Sequence, residues 1–141
     1  MKKIFITSLA ILLSACAFAQ FSTEMALGTD MKYPVFTMNV GYQFDRIEIN
    51  AEMLPAITRA ATSNTYLGAK AGYYFGDETG ILPSVGYYFD FISADNPELN
   101  KWCPGADVKF IHYLPNCNAW YADAGYINKE VIVSLGMHVT F

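Results

Sequence analysis

The final eleven residues, 131–141, alternate between large apolar side chains and small or polar ones. Successive side chains of a β-strand point to opposite faces, so this segment predicts a strand with one apolar face and one small, polar face. Only Ile132 interrupts the pattern. A half-buried strand of a soluble protein would alternate in the same way. The other strands and the positions of the charges must therefore distinguish a soluble sheet from a membrane barrel.

The first nineteen residues have the pattern of a secretory signal peptide. Lys2 and Lys3 precede an apolar run over 4–13, and the Ala-Phe-Ala triplet at 17–19 predicts cleavage after Ala19. The apolar run is too short to cross a bilayer as a helix. We expect residues 1–19 to be removed and residues 20–141 to form the mature domain.

Leu13-Ser14-Ala15-Cys16 also resembles the lipobox of bacterial lipoproteins, in which the cysteine becomes the acylated first residue. This alternative stays open. We favour cleavage after Ala19 because strand-like alternation begins at Phe21, which leaves little tether between a lipid anchor and the fold. The intact mass of the mature protein distinguishes the two.

Composition excludes several classes of function. Removing Lys2 and Lys3 leaves 7 basic and 13 acidic residues, a formal charge of −6, and no basic patch that could bind nucleic acid. Hydrophobic residues make up 53% of the chain. No stretch of the mature sequence is apolar over the ~20 residues that a membrane helix needs. A chain that is hydrophobic overall, but never in a long run, is typical of strands with one lipid-facing side.

Turn signals divide the mature chain into eight strands. Eight strands of ~10 residues account for most of it and leave short connections. We therefore predict an all-β fold, an eight-stranded antiparallel up-and-down barrel that crosses a membrane. The connections 55–64 and 93–104 are long and are expected outside the cell, with both termini in the periplasm. The predicted strands are 21–29, 33–44, 46–55, 64–75, 80–92, 102–114, 118–127 and 130–141.

The charges of these strands fall on one parity, together with most of the glycines. Eight strands cannot enclose the many bulky residues of the opposite parity, but their interior suits glycine and a few paired charges. The apolar face should therefore meet lipid. We predict a polar network in the lumen made of Glu24, Glu48, Glu52, Lys70, Asp90, Asp107, Lys109, Asp123 and His138.

Hairpin geometry supports this assignment, because cross-strand neighbours must share a face. A turn centred between Phe44 and Asp45, one near Asn116 and one between Asn128 and Lys129 give pairs that all lie on the polar face. We expect Lys109 and Asp123 to attract each other across two strands. The predicted neighbours are Asn39 with Asn50, Gly41 with Glu48, Lys109 with Asp123, and Asp123 with Ser134.

The chain resembles a known family. The signal-peptide pattern, the eight alternating strands and the terminal Val139-Thr140-Phe141 are similar to the small eight-stranded outer-membrane barrels, the group that contains the outer membrane protein A transmembrane domain and outer membrane protein X. The resemblance implies an outer-membrane location, contact with outer-membrane lipids, and recognition of Phe141 by the barrel assembly machinery.

Two histidines and two cysteines are the candidates for chemistry in the mature sequence. His112 falls on the lipid-facing parity near the periplasmic end, and we expect no serine close to it, so an interface role is favoured over catalysis. His138 should lie in the lumen near Glu24 and form a structural hydrogen bond. Cys103 and Cys117 lie at opposite ends of one predicted strand, ~30 Å or more apart, so we expect two free thiols.

We therefore predict no catalytic residue, no cofactor, no metal site and no nucleic-acid partner. The favoured function is a non-enzymatic structural or surface-interaction role, with an extracellular ligand met through loops 55–64 and 93–104. Three alternatives stay open. They are a lipid-modifying enzyme that depends on His112, a narrow cation channel sensitive to Glu52 or Asp123, and a soluble periplasmic ligand-binding barrel.

Overall fold

The computed structural model describes residues 20–31, 33–55, 65–91, 101–115 and 118–141. The described part of the chain contains no helix that is long and apolar enough to span a membrane. The predicted signal peptide 1–19, including Cys16, lies outside the described residues. The strands are β1 (Gln20–Thr29), β2 (Pro34–Phe44), β3 (Ile47–Leu54), β4 (Thr65–Tyr73), β5 (Phe75–Gly76), β6 (Thr79–Phe91), β7 (Lys101–Tyr113), β8 (Asn118–Ile127) and β9 (Glu130–Thr140).

These strands form a closed antiparallel barrel. The two-residue β5 continues the β4–β6 hairpin beyond Tyr74, so eight long strands make the wall, as predicted. Each long strand pairs with its neighbours in the chain, and β1 pairs with β9 to close the circle. Closure leaves none of the long strands with an open edge, which is the condition for a sheet that crosses lipid. We call the end with Gln20 and Phe141 the terminal end and the opposite end the loop end.

When paired residues are followed from strand to strand once around the barrel, the path returns to the first strand ten residues further along the chain. Because Val133 pairs with Thr29, the same register places Ile132 opposite Asp30. The shift from Gln20 to Asp30 is even, so inward residues pair with inward residues all the way round. Such a shear requires strands tilted by ~40° to the barrel axis. The circuit starts at Gln20 and passes through Gln43, Glu48, Gly72, Ser84, Asp107, Gly125 and Ile132.

The predicted register is confirmed at two hairpins. Lys109 lies opposite Asp123, and Asp123 lies opposite Ser134. The second pair follows a two-residue turn in which Asn128 and Lys129 have φ of 47° and 73°, the left-handed conformation that two-residue hairpins use.

The register predicted for the first hairpin is wrong by two residues. Asn39 pairs with Glu52 instead of Asn50, and Gly41 pairs with Asn50 instead of Glu48. The turn is centred one residue later than predicted, because Asp45 takes a left-handed φ of 52° and becomes the first turn residue. Moving a turn by one residue moves each partner by two, so every side chain keeps its predicted face.

Apolar side chains cover the outside of the barrel and charged side chains lie inside it, as the parity of the charges predicts. Among the described residues, 26 large hydrophobic side chains are exposed, whereas the interior holds buried charges. Leu135 on the outside is 68% exposed, and Lys109 inside is 0% exposed. Ile132, which interrupts the alternation of the last strand, points inward and is buried.

Apolar clusters lie inside the barrel toward both ends, and most of the buried charges lie between them. The terminal cluster consists of Ala26, Tyr74, Leu82, Ile111, Ala119 and Tyr121, with Tyr113 packed against it. The loop cluster consists of Val35, Leu54, Tyr66, Tyr88, Cys103, Ile127 and Ile132.

Gly68 is required by the close approach of a neighbouring ring. A Cβ atom at Gly68 would lie 2.5 Å from Cδ1 of Tyr88 and 2.5 Å from the Tyr87 carbonyl oxygen. A Cβ at Gly125 would meet nothing nearer than the Cβ of Asp107, at 3.2 Å. We expect Gly68→Ala to destabilise the barrel by about 1–3 kcal/mol, because overpacking displaces the Tyr88 ring or the backbone.

Urea unfolding in lipid vesicles measures this effect, with Gly125→Ala as the matched control. Equal unfolding midpoints for the two variants would contradict the proposed close contact.

Candidate functional site

Lys109 is the centre of the first ion-pair network in the lumen. Its Nζ lies 2.5 Å from Oε1 of Glu24 and 3.4 Å from Oε1 of Glu48, and 4.8 Å from the ring centroid of Tyr121. Lys109 and both glutamates are almost completely buried. The carboxylates come from β1 and β3 and the ammonium from β7, so this network joins strands across the lumen.

Polar groups around this network satisfy both carboxylates. The Asn39 amide donates to Oε2 of Glu24 over 2.5 Å, and the Asn50 amide donates to Oε1 of Glu48. His138 Nδ1 lies 2.8 Å from Oε1 of Glu24, which confirms the predicted contact between the first and last strands. The second ring nitrogen of His138 lies 2.9 Å from the Thr140 hydroxyl oxygen. Both ring nitrogens of His138 therefore have a partner within the barrel, as expected for a structural hydrogen bond.

Lys70 is the centre of the second network, closer to the loop end. Its Nζ lies 3.1 Å from Oε1 of Glu52 and 2.5 Å from Oδ2 of Asp107. The Tyr88 hydroxyl donates to Oε2 of Glu52 over 2.6 Å. Each lysine thus has two carboxylate partners, and the tyrosine connects the second network to the loop cluster.

The expected attraction between Lys109 and Asp123 is not a direct ion pair. The two residues are opposite each other in the register, yet the lysine extends across the lumen to Glu24 and Glu48. Its long side chain can reach two carboxylates there, which offer more electrostatic stabilisation than one neighbour. Within the described residues, Oδ1 of Asp123 and Oδ1 of Asp107 are buried without a hydrogen-bond partner.

Two further acidic groups near the loop end have neutral partners. The Asn128 amide donates to Oδ2 of Asp90 over 2.6 Å, and the Tyr66 hydroxyl donates to Oε2 of Glu130 over 2.6 Å. Asp90 thus lies in the lumen as predicted, but it is bound to the β8–β9 turn and not to either lysine. Glu130 was not among the predicted lumen residues because its position beside the turn concealed its face.

Glu24, Glu48 and His138 are the described residues with a geometry that could hold a metal ion. One ligand atom from each lies within 4.8 Å of the other two. The Lys109 ammonium contacts both carboxylates, so a metal ion would have to displace it. The positive charge that this group of carboxylates requires is therefore supplied by the chain itself.

His112 has a hydroxyl partner that the sequence did not predict. It lies on the outside of β7, exposed, and its Nδ1 is 2.7 Å from the Thr79 hydroxyl oxygen. We expected no serine near His112, but the hydroxyl comes from a threonine. The predicted strand began one residue after Thr79 and therefore did not include it. The β6–β7 register, which sets Thr79 opposite His112, runs through a hairpin whose loop length could not be read from the sequence.

Apolar grooves follow alanines on the outer face of the described strands, and one of about 320 Å³ lies over Ala71 between Tyr73, Pro83 and Val85. Two others are larger. The β8 groove, about 370 Å³, has Ala122 between Phe110, Trp120 and Leu135, with His112 at its terminal end. The β4 groove, about 740 Å³, runs over Ala51 and Ala69 near the loop end. An aromatic wall bounds the second groove, and it consists of Tyr87, Phe89, Phe91 and Trp102.

Other predicted sites are only partly covered by the described residues. Cys103 is a free, buried thiol whose sulfur lies 3.6 Å from the Tyr88 carbonyl oxygen, whereas Cys117 lies outside the described residues. Residues 56–64 and 92–100, which contain most of loops 55–64 and 93–104, also lie outside them. Phe141 is exposed at the terminal end, where its backbone N–H donates to the Phe21 carbonyl over 2.8 Å.

Lys109→Met should destabilise the barrel by about 3–5 kcal/mol, because it leaves two buried carboxylates without their cation. Adding Glu24→Gln and Glu48→Gln should recover much of the loss, since the remaining groups are then neutral. Lys129→Met, in the exposed β8–β9 turn, is the matched control and should change stability by less than about 0.5 kcal/mol. Urea unfolding followed by tryptophan fluorescence measures all three. Equal stability of the Lys109 and Lys129 variants would contradict the network.

Comparison with known proteins gives structural neighbours but no sequence family. No family model matches the chain. No curated protein matches it either.

Among solved structures, the N-terminal β-barrel domain of Pseudomonas aeruginosa OprF is 15% identical, with a TM-score of 0.66 over 86% of this chain and 97% of that domain. Neisserial surface protein A is 13% identical, with a TM-score of 0.53 over 87% of this chain and 96% of that protein. The de novo designed TMB2.3 is 14% identical, with a TM-score of 0.61 over 86% and 93% of the two chains. At these identities the likeness concerns the fold alone, and the chain has the fold of eight-stranded outer-membrane barrels.

Proposed function

We propose that the mature chain is an integral outer-membrane protein of a Gram-negative cell with a non-enzymatic structural or surface-interaction role. The observation that carries this proposal is the inside-out distribution of side chains on a closed barrel. Large hydrophobic residues cover the outside, and buried ion pairs fill the inside.

This distribution favours lipid over water around the barrel. Contiguous apolar patches on soluble monomers rarely exceed a few hundred Å², and this outer face is apolar on every long strand. Backbone closure removes the unpaired N–H and C=O groups that would be costly in hydrocarbon. These features argue against the alternative of a soluble periplasmic barrel.

Orientation follows from the connections. Outer-membrane barrels place short turns in the periplasm and longer loops outside the cell. The terminal end, with the short turn at Asp45 and Arg46, would then face the periplasm. In this orientation the exposed Phe141 ring is accessible to the barrel assembly machinery, and loops 55–64 and 93–104 are the parts that could meet an extracellular ligand.

The contents of the lumen argue against the channel alternative. The cavity beside Glu52, Asp107 and Asp123 measures about 10 Å³, at the lower limit for one water molecule. Lys70 and Lys109 are each clamped by two carboxylates, and apolar clusters lie toward both ends. A permeating cation would have to break these ion pairs.

The enzyme alternative now has a hydroxyl next to a base, in Thr79 and His112. A hydrolase also needs free N–H donors for the developing oxyanion. Gly80 and Ile81 pair with β5 on one side and with β7 on the other, and His112 pairs with β8, so the backbone donors of these residues serve the sheet. A non-enzymatic role therefore remains our proposal, and loss of a lipid-directed activity in His112→Ala would contradict it.

Electrophoresis tests the membrane barrel. The mature protein, folded into detergent micelles and loaded in SDS, should migrate differently with and without boiling, because a closed barrel resists SDS until heated. An unheated sample that migrates like the boiled one, from a protein that stays monomeric in plain buffer, would overturn the proposal.

Planar-bilayer recording tests the closed lumen. We expect no steady current from the wild-type protein and none from Glu52→Gln or Asp123→Asn. Steady cation-selective openings that change in either variant would replace the structural role with a channel.

A further inference from the structure

The Thr79–His112 pair is a polar feature on an apolar surface. Among the outward-facing side chains of the described strands, His112 is the one histidine, and none is a lysine, arginine, aspartate or glutamate. It is the second-last residue of β7, next to Trp120 in the register. Amphipathic aromatic residues of membrane barrels occupy the level of the lipid headgroups. The pair therefore lies where a barrel in a bilayer meets polar lipid groups.

The pair always presents one hydrogen-bond donor outward. If the Thr79 hydroxyl donates to Nδ1 of His112, the neutral imidazole keeps its hydrogen on Nε2. If Nδ1 instead carries the hydrogen and donates to the hydroxyl oxygen, the hydroxyl hydrogen is free. An acceptor such as a phosphate oxygen would suit either arrangement.

The β8 groove begins beside this donor and continues toward the middle of the barrel. Its floor at Ala122 is lower than the flanking Phe110, Trp120 and Leu135 side chains, and its lining is almost entirely apolar. A volume of about 370 Å³ is within the range of ligand pockets. The polar pair lies at headgroup depth, and the apolar groove continues toward the membrane centre. The two therefore match the headgroup and an acyl chain of a phospholipid.

We propose that the β8 groove and the Thr79–His112 pair form a binding site for one phospholipid of the periplasmic leaflet. One acyl chain lies over Ala122, and a phosphate oxygen accepts a hydrogen bond from the pair. This inference rests on the proposed membrane location. A second copy of this chain would fill the groove less well, because its own apolar outer face would leave the donor unsatisfied.

Fluorescence quenching can test the site through Trp120. The sequence has two tryptophans, and Trp102→Phe leaves Trp120, which lines the groove, as the sole reporter. The folded variant in dodecyl maltoside micelles is titrated with brominated phosphatidylglycerol and, separately, with brominated diacylglycerol, which lacks the phosphate. We expect half-maximal quenching at a mole fraction about threefold lower for the phospholipid, the factor given by one hydrogen bond.

Variants in the same background separate the two parts of the site. His112→Leu should make the two probes equal, because the outward donor is lost. Ala122→Leu should weaken quenching by both probes, because it fills the groove. Ala124→Leu is the matched control, since it lies two residues along β8 on the same face, outside the groove lining, and should behave like its parent.

Equal half-quenching by both probes in the parent, or no difference between the Ala122 and Ala124 variants, would overturn the proposal. The boiling-dependent shift is recorded for each variant. A parent that lacks this shift refutes the membrane barrel itself, whereas a shifted parent without lipid preference refutes only the lipid site.

Discussion

The pairing of β1 with β9 is the contact on which the rest of this structure depends. It connects the first and last strands of the described residues, converts a curled sheet into a closed wall, and satisfies the backbone groups of both strands. The same pairing sets Glu24 opposite His138, and Glu24 in turn receives Lys109 from β7. Closure of the backbone therefore brings together the strands that carry the first charged network.

A closed wall with an even shear has only two faces, and each residue belongs to one of them throughout the circuit. The apolar face cannot fit inside eight strands, so it must be outside, and the charged residues must accept burial. Burial of a charge is tolerable only when it is paired and hydrogen-bonded. Two lysines with two carboxylates each, supported by Asn39, Asn50 and Tyr88, meet this requirement. The same packing fills the space through which an ion would pass.

The outer face has local features that a uniform lipid-facing surface would not need. Alanines on β8 and on β3 and β4 leave grooves between aromatic and aliphatic side chains. At the terminal end of the β8 groove, a histidine and a threonine satisfy each other and still offer a donor. If the barrel lies in a membrane as proposed, lipid contact would be specific at the β8 groove and non-specific elsewhere.

The sequence by itself determined the number of long strands, the face of the strand side chains other than Glu130, and the two-residue turn at Asn128 and Lys129, because a period of two and local turn chemistry are readable without tertiary contacts. It also predicted the contact between His138 and Glu24. Only the tertiary structure decided that Lys109 extends to Glu24 and Glu48 instead of Asp123, that the first turn begins at Asp45, and that Thr79 lies against His112. These outcomes depend on how far the Lys109 side chain reaches across the lumen and on the register that each connection sets between its two strands. The alternation of side chains cannot reveal that register, because a shift of two residues leaves every side chain on the same face.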